Sequence, residues 1–206
     1  MDVTVIIIAV TVVISLMAWN NYSLMERWIL NPYQVSNRGQ YYRLLTSGFL
    51  HADWGHLLFN MLSLYFFGRF MEQVFGLLFG PTGPIYFLGF YLVSIIISDI
   101  PSFLKHRNNA GYNSLGASGG VSAIVFAGIL FSPLTDICLY FAFCIPGFIF
   151  GVLYLGYSYY EARRGASNVN HDAHFWGALC GVLFMIVVYP PVLPRFFEQI
   201  ATWRLF

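Results

Sequence analysis

One serine, three histidines, one asparagine and one aspartate stand in stretches with few other polar side chains, and these are the residues that could do chemistry. Ser118 lies in Gly116-Ala117-Ser118-Gly119-Gly120. His174 opens Ala173-His174-x2-Gly177-x3-Gly181, and His51-x4-His56-x3-Asn60 comes before both. A hydroxyl is a weak nucleophile until a base takes its proton, and histidine does that near neutral pH. Glycines around a serine let a substrate backbone approach. A serine that starts a helix also has free backbone N–H groups beside it, which can hold a developing oxyanion. His56 and Asn60 are four residues apart, share one helix face and could add side-chain donors to that anion.

Each pattern also has a plainer reading. Gly116, Gly120, Gly119, Ala123 and Ala127 form a small-residue stripe of the kind that lets helices pack closely in lipid. His174 could be an interfacial hydrogen-bonding residue, and His56 with Asn60 could be polar glue between helices. His171 lies in a polar loop and is a weaker candidate base. A metal or haem site would need a second histidine pair or an HExxH, and neither is present, so no metal and no cofactor is expected. Asp99, two residues before Pro101 at the end of an apolar run, reads as an interfacial cap or a solvated residue rather than a triad acid.

The elements that position these residues belong to a membrane. The chain has 206 residues, 58% apolar and 9% charged. An ordinary soluble domain is about 45–50% apolar and about 25% charged. Ten basic against nine acidic residues leave no basic field for a nucleic acid. A bilayer core of about 30 Å needs about 20 apolar residues per crossing. Segments near 3–19, 54–71, 84–104, 117–132, 137–158 and 173–190 approach that, in one domain over 1–206. The first reads as a retained span rather than a cleaved signal, because no positive residues precede it. The connection from Asn20 to Asp53 is long and aromatic, with Trp28, Tyr33, Tyr41 and Tyr42 suited to the interface. Asp53 is placed to cap the helix that follows. The fourth segment, Ser118 to Ser132, is only 15 residues. At 1.5 Å per residue it reaches about 22 Å, so Ser118 should begin a helix below the membrane surface, in a cavity open to water. Gly177 and Gly181 should press the sixth segment onto the fourth, with His174 beside Ser118. Cys138, Cys144 and Cys180 number three, lie in apolar runs, and read as small apolar filler with no disulfide framework.

Taken together the motifs resemble the rhomboid family of intramembrane serine proteases. The resemblance rests on Gly116-Ala117-Ser118-Gly119, on Ala173-His174-x2-Gly177-x3-Gly181, on His51-x4-His56-x3-Asn60, and on Arg43 eight residues before His51. It spans nearly the whole chain, in order. It implies an all-α membrane protein, a six-transmembrane-helix bundle with a long first loop. It implies a dyad of Ser118 as nucleophile and His174 as general base and then acid. It implies an oxyanion hole from the Ser118 N–H with His56 and Asn60, and a supporting role for His51. The implied reaction cuts peptide bonds in or near the transmembrane helices of membrane-protein substrates. The lipid bilayer and such substrates would be the partners. A non-cleaving rhomboid-like binding protein is the alternative. A small transporter fits less well, because no mid-membrane charge pair or inverted repeat is visible.

Three features depart from the family pattern. Tyr42 precedes Arg43 where the family has Trp. Ser122 stands where many relatives carry an aromatic residue that backs the histidine, so another group must hold His174, with Trp176 or Tyr112 as candidates. The family arrangement puts the protein in the cell (inner) membrane, with the N terminus in the cytoplasm and the site on the extracytoplasmic side. Three of the Lys and Arg residues then lie inside and seven outside, whereas the positive-inside rule favours the reverse. Pro146-Gly147 reads as a gate for laterally entering substrate, and Glu161–Asp172 as a lid.

Overall fold

The computed structural model describes residues 2–139, 143–165 and 169–204. Helix α1 (Val3–Trp19) is capped by Asp2, whose carboxylate accepts from the Val5 N–H. The stretch expected as a long first loop contains three short helices, α2 (Tyr22–Trp28), α3 (Pro32–Arg38) and α4 (Arg43–Thr46). Asn21 and Asn31 cap α2 and α3 through their side-chain oxygens, the usual use of Asn before a helix. Asp53 caps α5 (Trp54–Ser63) as expected, accepting from the His56 N–H at 2.8 Å.

Helix α5 passes through a π-helical turn at Leu64–Gly68 into α6 (Arg69–Phe79). The helix thus runs past residue 71, where the second segment was expected to end. Glu72 has a reason to be there: its carboxylate accepts from the Val3 and Thr4 N–H groups and from the Thr4 hydroxyl, closing the N-terminus of α1. At Gly80–Thr82 the chain turns into α7 (Gly83–His106). Gly83 lies against the Gly76 backbone, and Phe75 packs on Phe87 and Phe90, so α6 and α7 run back to back.

Helix α8 (Ser118–Phe131) is the most enclosed element, buried from Gly119 through Leu130 except at Val125. At 14 residues it spans about 21 Å, short of the bilayer core. The fifth segment differs from expectation. Residues 137–158 do not form one helix: β1 (Asp136–Leu139) and β2 (Phe143–Pro146) pair antiparallel, and α9 (Gly147–Arg164) starts after Pro146. A short apolar run does not distinguish strand from helix by periodicity. The ladder sets Cys138 opposite Cys144, and the two form a disulfide. The filler reading of these two cysteines is therefore corrected; only Cys180 is free.

Helix α10 (His171–Val188) and an amphipathic α11 (Val192–Thr202), not anticipated from the sequence, complete the described chain. The lid candidate resolves into the ends of α9 and α10, and its residues 166–168 lie outside the described residues. Lys105 joins the two ends, donating to the Ala162 carbonyl and to Asp172. Among the described residues, the stretch Trp54–His106 and the helix His171–Val188 are long and apolar enough to cross a membrane; α1 and α8 are shorter apolar helices.

Candidate active site

The turn before α8 is built so that Ser118 begins the helix. The Gly116 N–H donates to the Ser47 carbonyl at 3.0 Å, and Leu30 and Ser114 exchange backbone hydrogen bonds one step earlier. Gly116 has φ +127°, a conformation that disfavours any residue with a Cβ. A Cβ there would also lie 2.7 Å from His56 Nε2 and 3.8 Å from Ser118 Oγ. The imidazole of His56 and the Ser118 hydroxyl thus border the same small space. With Ser118 at the first helical position, its N–H and those of Gly119 and Gly120 have no intrahelical acceptor.

His51 lies under this turn. It precedes α5 and is fully buried. The Ser15 hydroxyl donates to the Phe49 carbonyl, so it accepts from His51 Nδ1–H at 3.0 Å. His51 Nε2 is then the acceptor, facing the Ala117 N–H at 3.5 Å. Burial drives the His51 pKa down to about 3, which keeps this neutral tautomer. The Trp19 indole N–H donates to the His51 carbonyl at 2.7 Å. Ser15 and Trp19 are thus part of the support, and nothing in their spacing announced it. His51 and His56 meet edge to face at 4.9 Å. Asn60 is buried on the same face as His56 and spends one amide N–H on the His56 carbonyl, which leaves the other for a ligand.

Helix α10 reaches α8 as the glycine spacing predicted. A methyl group on Gly177 would collide with the Gly119 backbone, and one on Gly181 with the Ala123 backbone. Gly119 also faces the Ala173 carbonyl, so the residue before His174 sits at the first turn of α8. Ser118 and Ser122 are one turn apart on one face. Ser122 Oγ is 2.8 Å from the Tyr154 hydroxyl, and the Tyr154 ring lies near-parallel to that of His174 at 6.1 Å. Tyr154 thus links His174 to Ser122, one turn after Ser118 on α8.

Neither proposed support for His174 holds the ring. Trp176 is exposed and packs edge-on to Phe175, while Tyr112 stacks on His106. The ring comes from Tyr154, which the sequence reading missed because nothing in the spacing links α9 to His174. His171 meets His174 edge to face at 5.6 Å, beside Tyr157.

Asp99 is not a solvated cap. Helix α7 continues through Pro101, and Asp99 is only 8% exposed. Its carboxylate accepts from the Ser47 hydroxyl at 3.3 Å and faces the Asn170 amide at 3.5 Å. Asn170 caps α10 through the Ala173 N–H and also binds Ser102 and Ser114. One buried network therefore joins the Gly116 anchor, Ser47, to the start of the helix that carries His174. Arg43 is 6% exposed and donates to the Glu26 and Ile29 carbonyls and to Gln40, each at 2.7 Å. It ties α2 to α4.

Comparison with known proteins identifies the family. Residues 38–191 match the model of the Rhomboid domain. The chain is 28% identical over 172 residues to RHOMBOID-like protein 12, mitochondrial, of Arabidopsis thaliana, covering 74% of this chain and 49% of that one. It is 29% identical over 177 residues to Rhomboid-like protein 11, chloroplastic, of the same plant, covering 77% and 56%. It is 29% identical over 145 residues to Rhomboid protease GluP of Bacillus subtilis (strain 168), covering 70% and 25%. The chain thus spans about half the length of the first two relatives and a quarter of the third.

Proposed function

The chain belongs to the rhomboid family, and from that premise we propose that it is an intramembrane serine endopeptidase acting through Ser118 and His174. What supports the proposal is that His56 and Ser118 border one space at the start of α8, and that α10 meets the same turn at Gly119, beside Ala173 and next to His174. We read α1, the α5–α6 helix, α7, α8, α9 and α10 as six crossings, with α8 starting within the membrane.

His174 takes the proton of Ser118 as Oγ attacks the scissile carbonyl carbon. The carbonyl oxygen becomes an anion held by the Ser118 N–H, His56 and the remaining Asn60 N–H. The carbon–nitrogen bond breaks, and His174 passes its proton to the leaving amine. His174 then takes a proton from a water that attacks the acyl carbon, and passes that proton to the Ser118 oxygen as the ester bond breaks. A helical substrate must unwind before attack, so helix-weakening segments with small residues at the cut should suit the glycine-lined site. Pro146-Gly147, where α9 leaves the hairpin, remains the proposed gate. By analogy with the family we propose that the site faces the extracytoplasmic side. The mitochondrial and chloroplastic relatives extend the choice of membrane beyond the cell membrane.

The test is cleavage of single-span substrates with helix-weakening segments, co-reconstituted in liposomes. Fragments from the wild type and none from Ser118→Ala support the protease. Intact substrate captured by both proteins supports the non-cleaving alternative.

A further inference from the structure

The position one turn after the nucleophile carries no ring in this chain. Ser122 is too short to pack on His174, yet its hydroxyl is engaged, 2.8 Å from the Tyr154 hydroxyl. Tyr154 comes from α9, a different helix. Its ring lies at 21° to the His174 imidazole, 6.1 Å between centroids. Phe126 of α8 and Phe150 of α9 flank it, each at 5.5 Å. The phenol is thus held at its polar tip by α8 and by two tilted aromatic neighbours, with its ring near-parallel to that of His174. A half-buried aromatic ring with a satisfied hydroxyl is a rigid backing surface, with little side-chain freedom to lose.

We propose that Tyr154 is the positioning residue of His174, and that a tyrosine from α9 tied to Ser122 does here what an aromatic residue on α8 would otherwise do. The proposal rests on the protease reading above. Its consequence is specific to this chain: alignment of the histidine depends on α9 being seated against α8. Moving α9 outward withdraws the ring and breaks the Ser122–Tyr154 hydrogen bond together.

The test compares wild type with Tyr154→Ala, Tyr154→Leu, Tyr154→Phe and the double variant Ser122→Tyr/Tyr154→Ala, in detergent and in liposomes. Removing the ring should lower kcat about 10- to 100-fold with KM nearly unchanged, the scale expected when a catalytic group is displaced by about 1 Å. Tyr154→Phe keeps the ring and should stay within about threefold of wild type, whereas Tyr154→Leu keeps bulk without a ring and should behave like Tyr154→Ala. The double variant moves the ring to α8 and should recover activity.

A second readout needs no turnover. In histidine-labelled protein, the His174 Cε1–H resonance, assigned with His174→Gln, should move in Tyr154→Ala and hold in Tyr154→Phe. Wild-type kcat in Tyr154→Ala, equal impairment of Tyr154→Phe and Tyr154→Ala, or an unmoved resonance would each overturn the proposal. A wild type that cleaves nothing counts against the protease reading instead, and the resonance alone then decides whether Tyr154 holds the ring.

Discussion

Gly177 of α10 lies so close to Gly119 of α8 that a methyl group on it would occupy the space of the Gly119 backbone. The same crossing repeats one turn on, at Gly181 and Ala123. His174 and Ser118 stand just before the first of these contacts, so the spacing of the helices sets the spacing of the two side chains. In lipid no hydrophobic force pulls the helices together, and close packing has to do it.

Gly177→Val should therefore separate α10 from α8. Overpacking of this kind costs about 1–3 kcal/mol, so the unfolding temperature should fall, and activity should drop at least 100-fold because a misplaced histidine is ineffective. Gly156→Ala, with no atom within 4 Å of its new Cβ, is the control and should leave both unchanged. Thermal unfolding in detergent and cleavage rates read both. Full activity in Gly177→Val would show that the contact does not set the site.

His56→Ala and Asn60→Ala should each reduce kcat about 10²–10³-fold, the range for one oxyanion donor, with KM little changed. Gly116→Ala should be at least as damaging, since φ +127° strains it and the new methyl meets the His56 ring. Steady-state kinetics on a reconstituted substrate separate the two parameters. A rise in KM alone would place His56 and Asn60 in ordinary substrate binding.

Asp99 distinguishes a structural network from a triad. Asp99→Asn preserves an acceptor toward Asn170 and should stay within a few-fold of wild type. Asp99→Leu leaves the Ser47 hydroxyl and one Asn170 amide N–H without this acceptor, at about 1–3 kcal/mol each, and should lower the unfolding temperature and activity together. A loss near 10⁴ in Asp99→Asn would argue for a triad acid.

Stability should depend on pH through His51. Its pKa is pushed down to about 3 in the fold, whereas an unfolded histidine titrates near 6.5. The unfolded chain binds the extra proton first, so stability is full above about 6.5 and falls toward pH 3, by at most about 1.4 kcal/mol per pH unit. His51→Gln should remove that part of the slope. An unchanged acid profile in His51→Gln would show that the group is not held neutral.

Orientation and the disulfide form one experiment. Ser118 opens α8, and the Cys138–Cys144 hairpin follows its far end, so the two lie on opposite sides of the bundle. With the site extracytoplasmic, the N terminus and both cysteines share the cytoplasmic side. In right-side-out vesicles an N-terminal tag should then resist added protease, although the Cys138–Cys144 bond itself favours an oxidising compartment. A digested tag with bonded cysteines would reverse the orientation, as the distribution of Lys and Arg does.

Much of the site was legible because glycine spacing and isolated polar residues in apolar sequence have few explanations. Ser118, His174, His56 and the Gly177–Gly119 approach could be read from those patterns. The paired strands Asp136–Leu139 and Phe143–Pro146 could not, since apolar residues there satisfy a span and a strand alike. Nor could Tyr154 or Asp99, whose roles are contacts between helices distant in sequence. Asn170 carried a local signal, an asparagine three residues before Ala173 at a helix start, which marks it as a cap. The role of Glu72 was not legible either, because its partner, the start of α1, lies about 70 residues away.

The most direct test of the central claim is mass-spectrometric mapping of the adduct formed by a fluorophosphonate probe on the purified protein in lipid. The account predicts one adduct, on Ser118, absent from Ser118→Ala and strongly reduced in His174→Ala. A wild type that stays unmodified, or an adduct on another serine that persists in Ser118→Ala, would contradict it.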